Sequence, residues 1–387
     1  MFYEATRHSG PGVHALIIGV GYYPYLAGNV QSGTAEWPAF SFMPQLTSPP
    51  RSARAFAQWL SDNADERNWT VPLASVDLLL SFAPKQAPDL AAVIHGEATI
   101  DAIRQRFEAW LARCAQDPDN VAVFYFCGHG VQGDGQFLLA SDFNKYAATP
   151  FAHAFDFDET RLALQQRGPR TQWMIIDACR VDCARRPPSG VQPLADPELF
   201  AISVCQNEVT LRMPMSDQAG ARVGEVSFLT QALIRALDGQ AATTDEHGEW
   251  VVRMDGVRRS IDTLLGEELG FQPLSRGVES INLGDAVLYR LGEAPLARLI
   301  VRCLPSEATA RTTVSYTSHD MAAQPTAVIG MRPAQPLPAK GAHGQEWRID
   351  LRAGVYTVRA ECDRRSVSRT QCVLPPQSVM SLRVIDA

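Results

Sequence analysis

Two stretches of this chain run apolar without a break and then stop on a residue that can do chemistry. Gln172-Trp173-Met174-Ile175-Ile176-Asp177-Ala178-Cys179-Arg180 ends on a cysteine, and Val121-Ala122-Val123-Phe124-Tyr125-Phe126-Cys127-Gly128-His129-Gly130 ends on a histidine between two glycines. A run without polar alternation predicts a strand buried on both faces. Residues at the carboxyl edge of a parallel sheet open onto the crevice where α/β proteins bind ligands. If these two strands are parallel neighbours, Cys179 and His129 emerge at one edge. A thiol beside an imidazole is the minimum for cysteine nucleophilic catalysis.

The remaining pattern supplies the frame for that edge. Val13 to Val20 reads as a buried first strand, followed by a connection over residues 21–50 rich in Gly, Pro, Ser and aromatics. A connection of that length tends to be functional or to carry structure of its own. Helices are predicted from Ser48 to Leu60, Thr99 to Ala115, Phe157 to Gln166, Ser227 to Leu237 and Met254 to Leu269. Each carries an apolar stripe or a recognisable start and stop. Further strands are predicted at Ser75 to Leu80, Gln136 to Ala140, Leu199 to Cys205 and Trp250 to Val252. Strands alternating with helices imply an α/β fold, a mainly parallel sheet covered by helices on both faces. From Pro295 the texture changes to short alternating strands between Pro- and Gly-rich segments. Residues 295–387 are therefore expected to form a small all-β sandwich domain behind an α/β domain of residues 1–294.

The formal net charge of -7 argues against a protein that coats nucleic acid. No run approaches the roughly 18 apolar residues of a membrane span. No basic segment leads into an apolar core after Met1, so a cytoplasmic location without membrane attachment is expected. Eight cysteines at irregular spacing point to reduced thiols. Cys179 and Cys183 lack a second ligand pair, so neither a zinc site nor another cofactor is expected. Asp156, Asp158 and Glu159 read better as an acidic helix start than as a calcium site.

Cys127-Gly128-His129-Gly130 and Asp177-Ala178-Cys179-Arg180 lie in this order, with histidine and cysteine fifty residues apart. A histidine about 50 residues upstream of an Ala-Cys-Arg motif is the handprint of one group of enzymes. The chain resembles the caspase-like cysteine peptidases, which include caspases, metacaspases and prokaryotic relatives, over roughly residues 13–290. The resemblance implies a caspase-like fold and a cysteine endopeptidase with His129 and Cys179 as its dyad. It also implies an oxyanion hole from the backbone N–H groups of Gly130 and Cys179. Val181-Asp182 stands where many relatives have a glycine, and compact caspases lack a segment like 21–50.

Three residues carry the specificity expectations. Asp177 occupies the position that is Gln in caspases and Asp in relatives that cleave after Arg or Lys. A carboxylate in the primary pocket would pair with a basic side chain, bidentately with Arg. Two other readings stay open. Arg180, with Arg51 or Arg54, could line a basic pocket for Asp, or Asp177 could simply bond neighbouring backbone. By the resemblance, Gln206 belongs to another pocket wall. The resemblance further implies protein substrates, an effector role in bacterial defence or regulated cell death, and self-cleavage near Arg185-Arg186. Partner or regulator binding through the β domain is the remaining expectation. The rival reading is a catalytically silent scaffold that recruits partners through that domain.

Overall fold

A computed structural model describes the chain except residues 7–8, 27–39, 41–42, 66–67, 84–89, 91–96, 147, 183–190, 213–224, 269–278, 283–284, 320–345, 364 and 385–387. It divides into two compact units: residues 1–234 with 271–289, and residues 235–270 with 290–387.

The first unit is organised by a seven-stranded sheet. Its strands are β1 (Tyr3–Glu4), β2 (Val13–Val20), β3 (Leu73–Ser81), β4 (Val121–Gly128), β5 (Thr171–Ala178), β6 (Asn207–Arg212) and β7 (Glu279–Asn282). They lie in the order β1-β3-β2-β4-β5-β6-β7. From β3 through β6 every neighbour is parallel, and only the edge strands β1 and β7 run antiparallel. All eight residues of β2 are buried, as the unbroken apolar run predicts.

Successive side chains of β4 point to opposite faces, and helices meet both. Phe124 packs against Phe107 and Trp110 of α2 (Ile100–Cys114) and stacks on Phe157 of α3 (Phe157–Arg167). Tyr125, one residue on, meets Phe56 of α1 (Ser48–Asp62) and bonds Thr230 of α4 (Phe228–Arg235) through its hydroxyl at 2.7 Å. Asp156 caps α3 by accepting the Glu159 N–H at 3.0 Å, and Asp158 of the same turn pairs with Arg212 of β6. Beyond the carboxyl edge, Gly130–Gln132, Gln136–Leu139, Ala154–Asp156 and Val181–Asp182 form a small second sheet.

One predicted strand is displaced. Leu199 to Cys205 forms no strand: Leu199 is 88 % exposed, Phe200 101 % and Ile202 88 %. The ladder position beside β5 is taken by Asn207–Arg212. Hydropathy hid this strand because it carries Glu208 and Arg212 into the interior. Glu208 is fully buried, yet it is bonded by Arg161 at 2.8 Å and by Thr210 at 2.6 Å. A buried charge survives where partners satisfy it. The exposed apolar run instead straps the end of α3, with Val204 and Cys205 N–H groups both donating to the Gln165 carbonyl.

The second unit contains α5 (Met254–Glu268) and two three-stranded sheets. One joins Glu346–Arg352, Leu296–Leu304 and Gln377–Arg383; the other joins Thr312–Ser318, Gly354–Cys362 and Arg365–Val373. Pairing is antiparallel except between Leu296–Leu304 and Gln377–Arg383. Both sheets contribute to one core, where Leu299, Trp347 and Leu382 meet Val314, Tyr356 and Val358. Among the described residues no helix is long and apolar enough to cross a membrane.

Candidate active site

β4 and β5 are paired from Val121↔Thr171 to Gly128↔Ala178. Beyond the edge the two chains stay paired in the small sheet, at Val131↔Val181 and Gln132↔Asp182. Every one of these pairs has the same offset, before and after His129 and Cys179. The fifty-residue interval read in the sequence is the register of the strands that flank these two residues. Gly130 shows how tightly the chains pass. A Cβ built there would lie 2.6 Å from the Cys179 carbonyl oxygen and 3.3 Å from Ala178 Cβ.

His129 is held from several sides. Its N–H donates to the Tyr23 hydroxyl at 2.8 Å, and its carbonyl accepts the Leu139 N–H at 3.1 Å. The Tyr23 ring lies against the imidazole at 5.0 Å between centroids. Nε2 sits 2.7 Å from the Pro44 carbonyl oxygen. A carbonyl can only accept, so Nε2 carries the proton and Nδ1 keeps the basic lone pair. Burial pushes the imidazole down to a pKa of about 4, against the opposing pull of the Pro44 carbonyl. Burial, with further contributions from the Cys127 and Cys179 thiols, raises the Tyr23 phenol well above its ordinary value. Tyr23 is therefore a neutral hydroxyl beside the pair. Cys179 itself is half-buried and in no disulfide.

Asp177 lies two residues before Cys179, opposite Cys127. It is 2 % exposed, and its Oδ2 accepts hydroxyl bonds from Ser227 and from Thr230, the latter at 3.0 Å. Burial raises its pKa, while the Ser227, Thr230 and Cys127 bonds oppose the rise. The carboxylate is thus fixed behind the sheet edge against the first turn of α4.

Residues 13–258 match the caspase domain of the C14 peptidases. The chain belongs to the caspase-domain family. The model that it matches describes a family of cysteine-type peptidases. The chain is also similar to the uncharacterized protein y4kE of Sinorhizobium fredii, with 27% identity over 190 residues. That alignment covers 47% of this chain and 54% of the relative, about half of its length.

Within the caspase domain the other residues singled out from sequence scatter. Arg180 follows Cys179 and is half-buried; its Nε donates to Gln132 Oε1 at 2.9 Å, which ties it to the small sheet. Gln206 is not brought to this edge. It directly precedes β6, whose first residue pairs with Thr171, so it lies at the amino edge, with its N–H on the Arg170 carbonyl. About eight residues of strand separate it from Cys179, some 26 Å at 3.3 Å per residue. Arg185 and Arg186 lie outside the described residues.

Tyr23, Pro44, Ser227 and Thr230 belong to the site and were not found in the sequence. A backbone carbonyl such as that of Pro44 has no side-chain signature. The one available signal was the unusual length of the 21–50 connection, which delivers both Tyr23 and Pro44.

Proposed function

We propose that this caspase domain is a cysteine endopeptidase in which Cys179 is the nucleophile and His129 the general base and acid. In this mechanism the Cys179 S–H proton passes to His129 Nδ1 while sulfur bonds the scissile carbonyl carbon. The carbonyl electron pair moves onto oxygen, where the N–H groups of Gly130 and Cys179 receive it. Collapse breaks the C–N bond, and the proton on Nδ1 leaves with the amine. Water, deprotonated by the same nitrogen, then hydrolyses the thioester. The observation that carries the reading is the constant register on both sides of the edge, with Nδ1 left as the basic nitrogen by the Pro44 carbonyl.

We further infer cleavage after Arg or Lys from the placement of a carboxylate, Asp177, two residues before Cys179: burial raises its pKa, while the Ser227, Thr230 and Cys127 bonds favour the ionised form that would pair with a cationic side chain. Arg180 is already engaged by Gln132, which weakens the case for a basic pocket.

A panel of fluorogenic peptides ending in Arg, Lys or Asp tests both statements. Release after Arg or Lys by the wild type, abolished in Cys179→Ala, is expected. Equal background from the two proteins would remove the peptidase reading. Release after Asp alone would keep the dyad and overturn the role given to Asp177.

A further inference from the structure

The two groups that hold His129 come from different turns of one connection, and a single side chain joins them. Residues 43–46 have no regular secondary structure, and Pro44, whose carbonyl lies 2.7 Å from Nε2, is exposed beside the buried Met43. Gln45, on its other side, adds a directed constraint. Gln45 Oε1 accepts the Tyr23 N–H at 2.8 Å, and Gln45 Nε2 donates to the Tyr23 carbonyl at 2.9 Å. A primary amide offers a donor and an acceptor side by side. It therefore occupies both backbone groups of one residue, as a neighbouring strand would. One residue on, the Leu46 N–H donates to the Gly21 carbonyl at 2.8 Å. A Cβ at Gly21 would collide with the Leu46 carbonyl, so the close pass needs glycine there. The Gly21–Tyr23 turn is itself anchored to the sheet, since the Gly21 and Tyr22 N–H groups both donate to the Ser81 carbonyl, at 2.8 and 3.1 Å.

Tyr23 then passes the constraint back to the histidine, because its hydroxyl accepts the His129 N–H. Backbone and ring of His129 are thus gripped by two residues that Gln45 locks to each other. We propose that Gln45 is a positioning residue of the site: by bracketing Tyr23 it sets the Pro44 carbonyl against His129 Nε2 and keeps the basic lone pair on Nδ1. It acts through Pro44 and Tyr23. Its kinetic consequence rests on the proposed dyad; its effect on the imidazole proton does not.

The test therefore has two arms. The first follows the His129 Nε2–H proton by NMR in the Cys179→Ala protein. A slowly exchanging signal is expected, with exchange at least about tenfold faster in Cys179→Ala/Gln45→Ala, since an opened hydrogen bond exposes the proton to water. Gln45→Glu keeps the size and the acceptor but, ionised, cannot donate to the Tyr23 carbonyl, and is expected between the two. This variant decides the question if the alanine variant fails to fold. The second arm measures peptide hydrolysis with Cys179 intact. Gln45→Ala is expected to lower kcat roughly tenfold or more with KM within about twofold, as a misplaced catalytic group does. Unchanged proton exchange in both Gln45 variants overturns the proposal, as does faster exchange with unchanged kcat. A wild type without hydrolysis would count against the dyad, and the proton exchange would still decide for or against Gln45.

Discussion

His129 is 5 % exposed, and burial holds its imidazole at a pKa of about 4. The folded protein therefore keeps it neutral where an unfolded chain, titrating near 6.5, takes up a proton. Two outcomes follow from the sign of that difference. The acid limb of kcat/KM is expected well below pH 6.5, because the neutral imidazole persists to lower pH. Stability is expected to fall as pH drops from 6.5 toward 4, by roughly 3 kcal/mol from this group alone, since the unfolded state binds the extra proton. Denaturant midpoints for wild type and His129→Gln across that window measure it, the variant losing this part of the slope. The thiol and the imidazole were legible in the sequence because few side chains can do their chemistry and both stood at strand ends. Tyr23 was not, since an aromatic in a long connection is usually packing. Asp177 was legible as a carboxylate beside the cysteine, while its hydroxyl partners on α4 were hidden by 50 residues of intervening chain.

Between the residue and the molecule stands the strand pair. Gly130 passes so near Cys179 that Gly130→Ala must drive the two chains apart. The expected result is loss of peptide hydrolysis by about a hundredfold with the protein still folded, checked by kcat/KM beside a circular dichroism melt. The parallel sheet was readable because its central strands are apolar throughout. β6 was not, because its stability depends on Glu208 and Arg212 finding Arg161 and Asp158 on α3, a pairing that exists only after folding. Conversely, the most strand-like run after the cysteine, Leu199 to Cys205, lies outside the sheet. There Phe200 holds φ at 75°, a left-handed conformation uncommon for a bulky residue. Phe200→Asn is expected to raise the urea midpoint, by up to about 1 kcal/mol of stability, because Asn tolerates that conformation. A lowered midpoint would show that the exposed ring is held by contacts of its own.

At the scale of the chain, hydrophobic cores are assembled from distant sequence. One of them holds Trp347, 2 % exposed between the two three-stranded sheets. Trp347→Ala is expected to cost about 3–5 kcal/mol and to remove hydrogen-exchange protection from the strands of residues 296–383. The all-β texture after Pro295 was legible from alternation; the membership of α5 in a compact unit with those strands was not, since a helix stripe does not name its partner. The equal offset on either side of the site has a final consequence for how such chains can diverge. The stretch linking the two motif strands can grow or shrink freely, since each added residue merely renumbers everything downstream. What must be matched is the tally from Gly128 to Val131 and from Ala178 to Val181. One extra residue in only one of these short spans would break the shared offset and put the strands beyond the edge out of step with those before it.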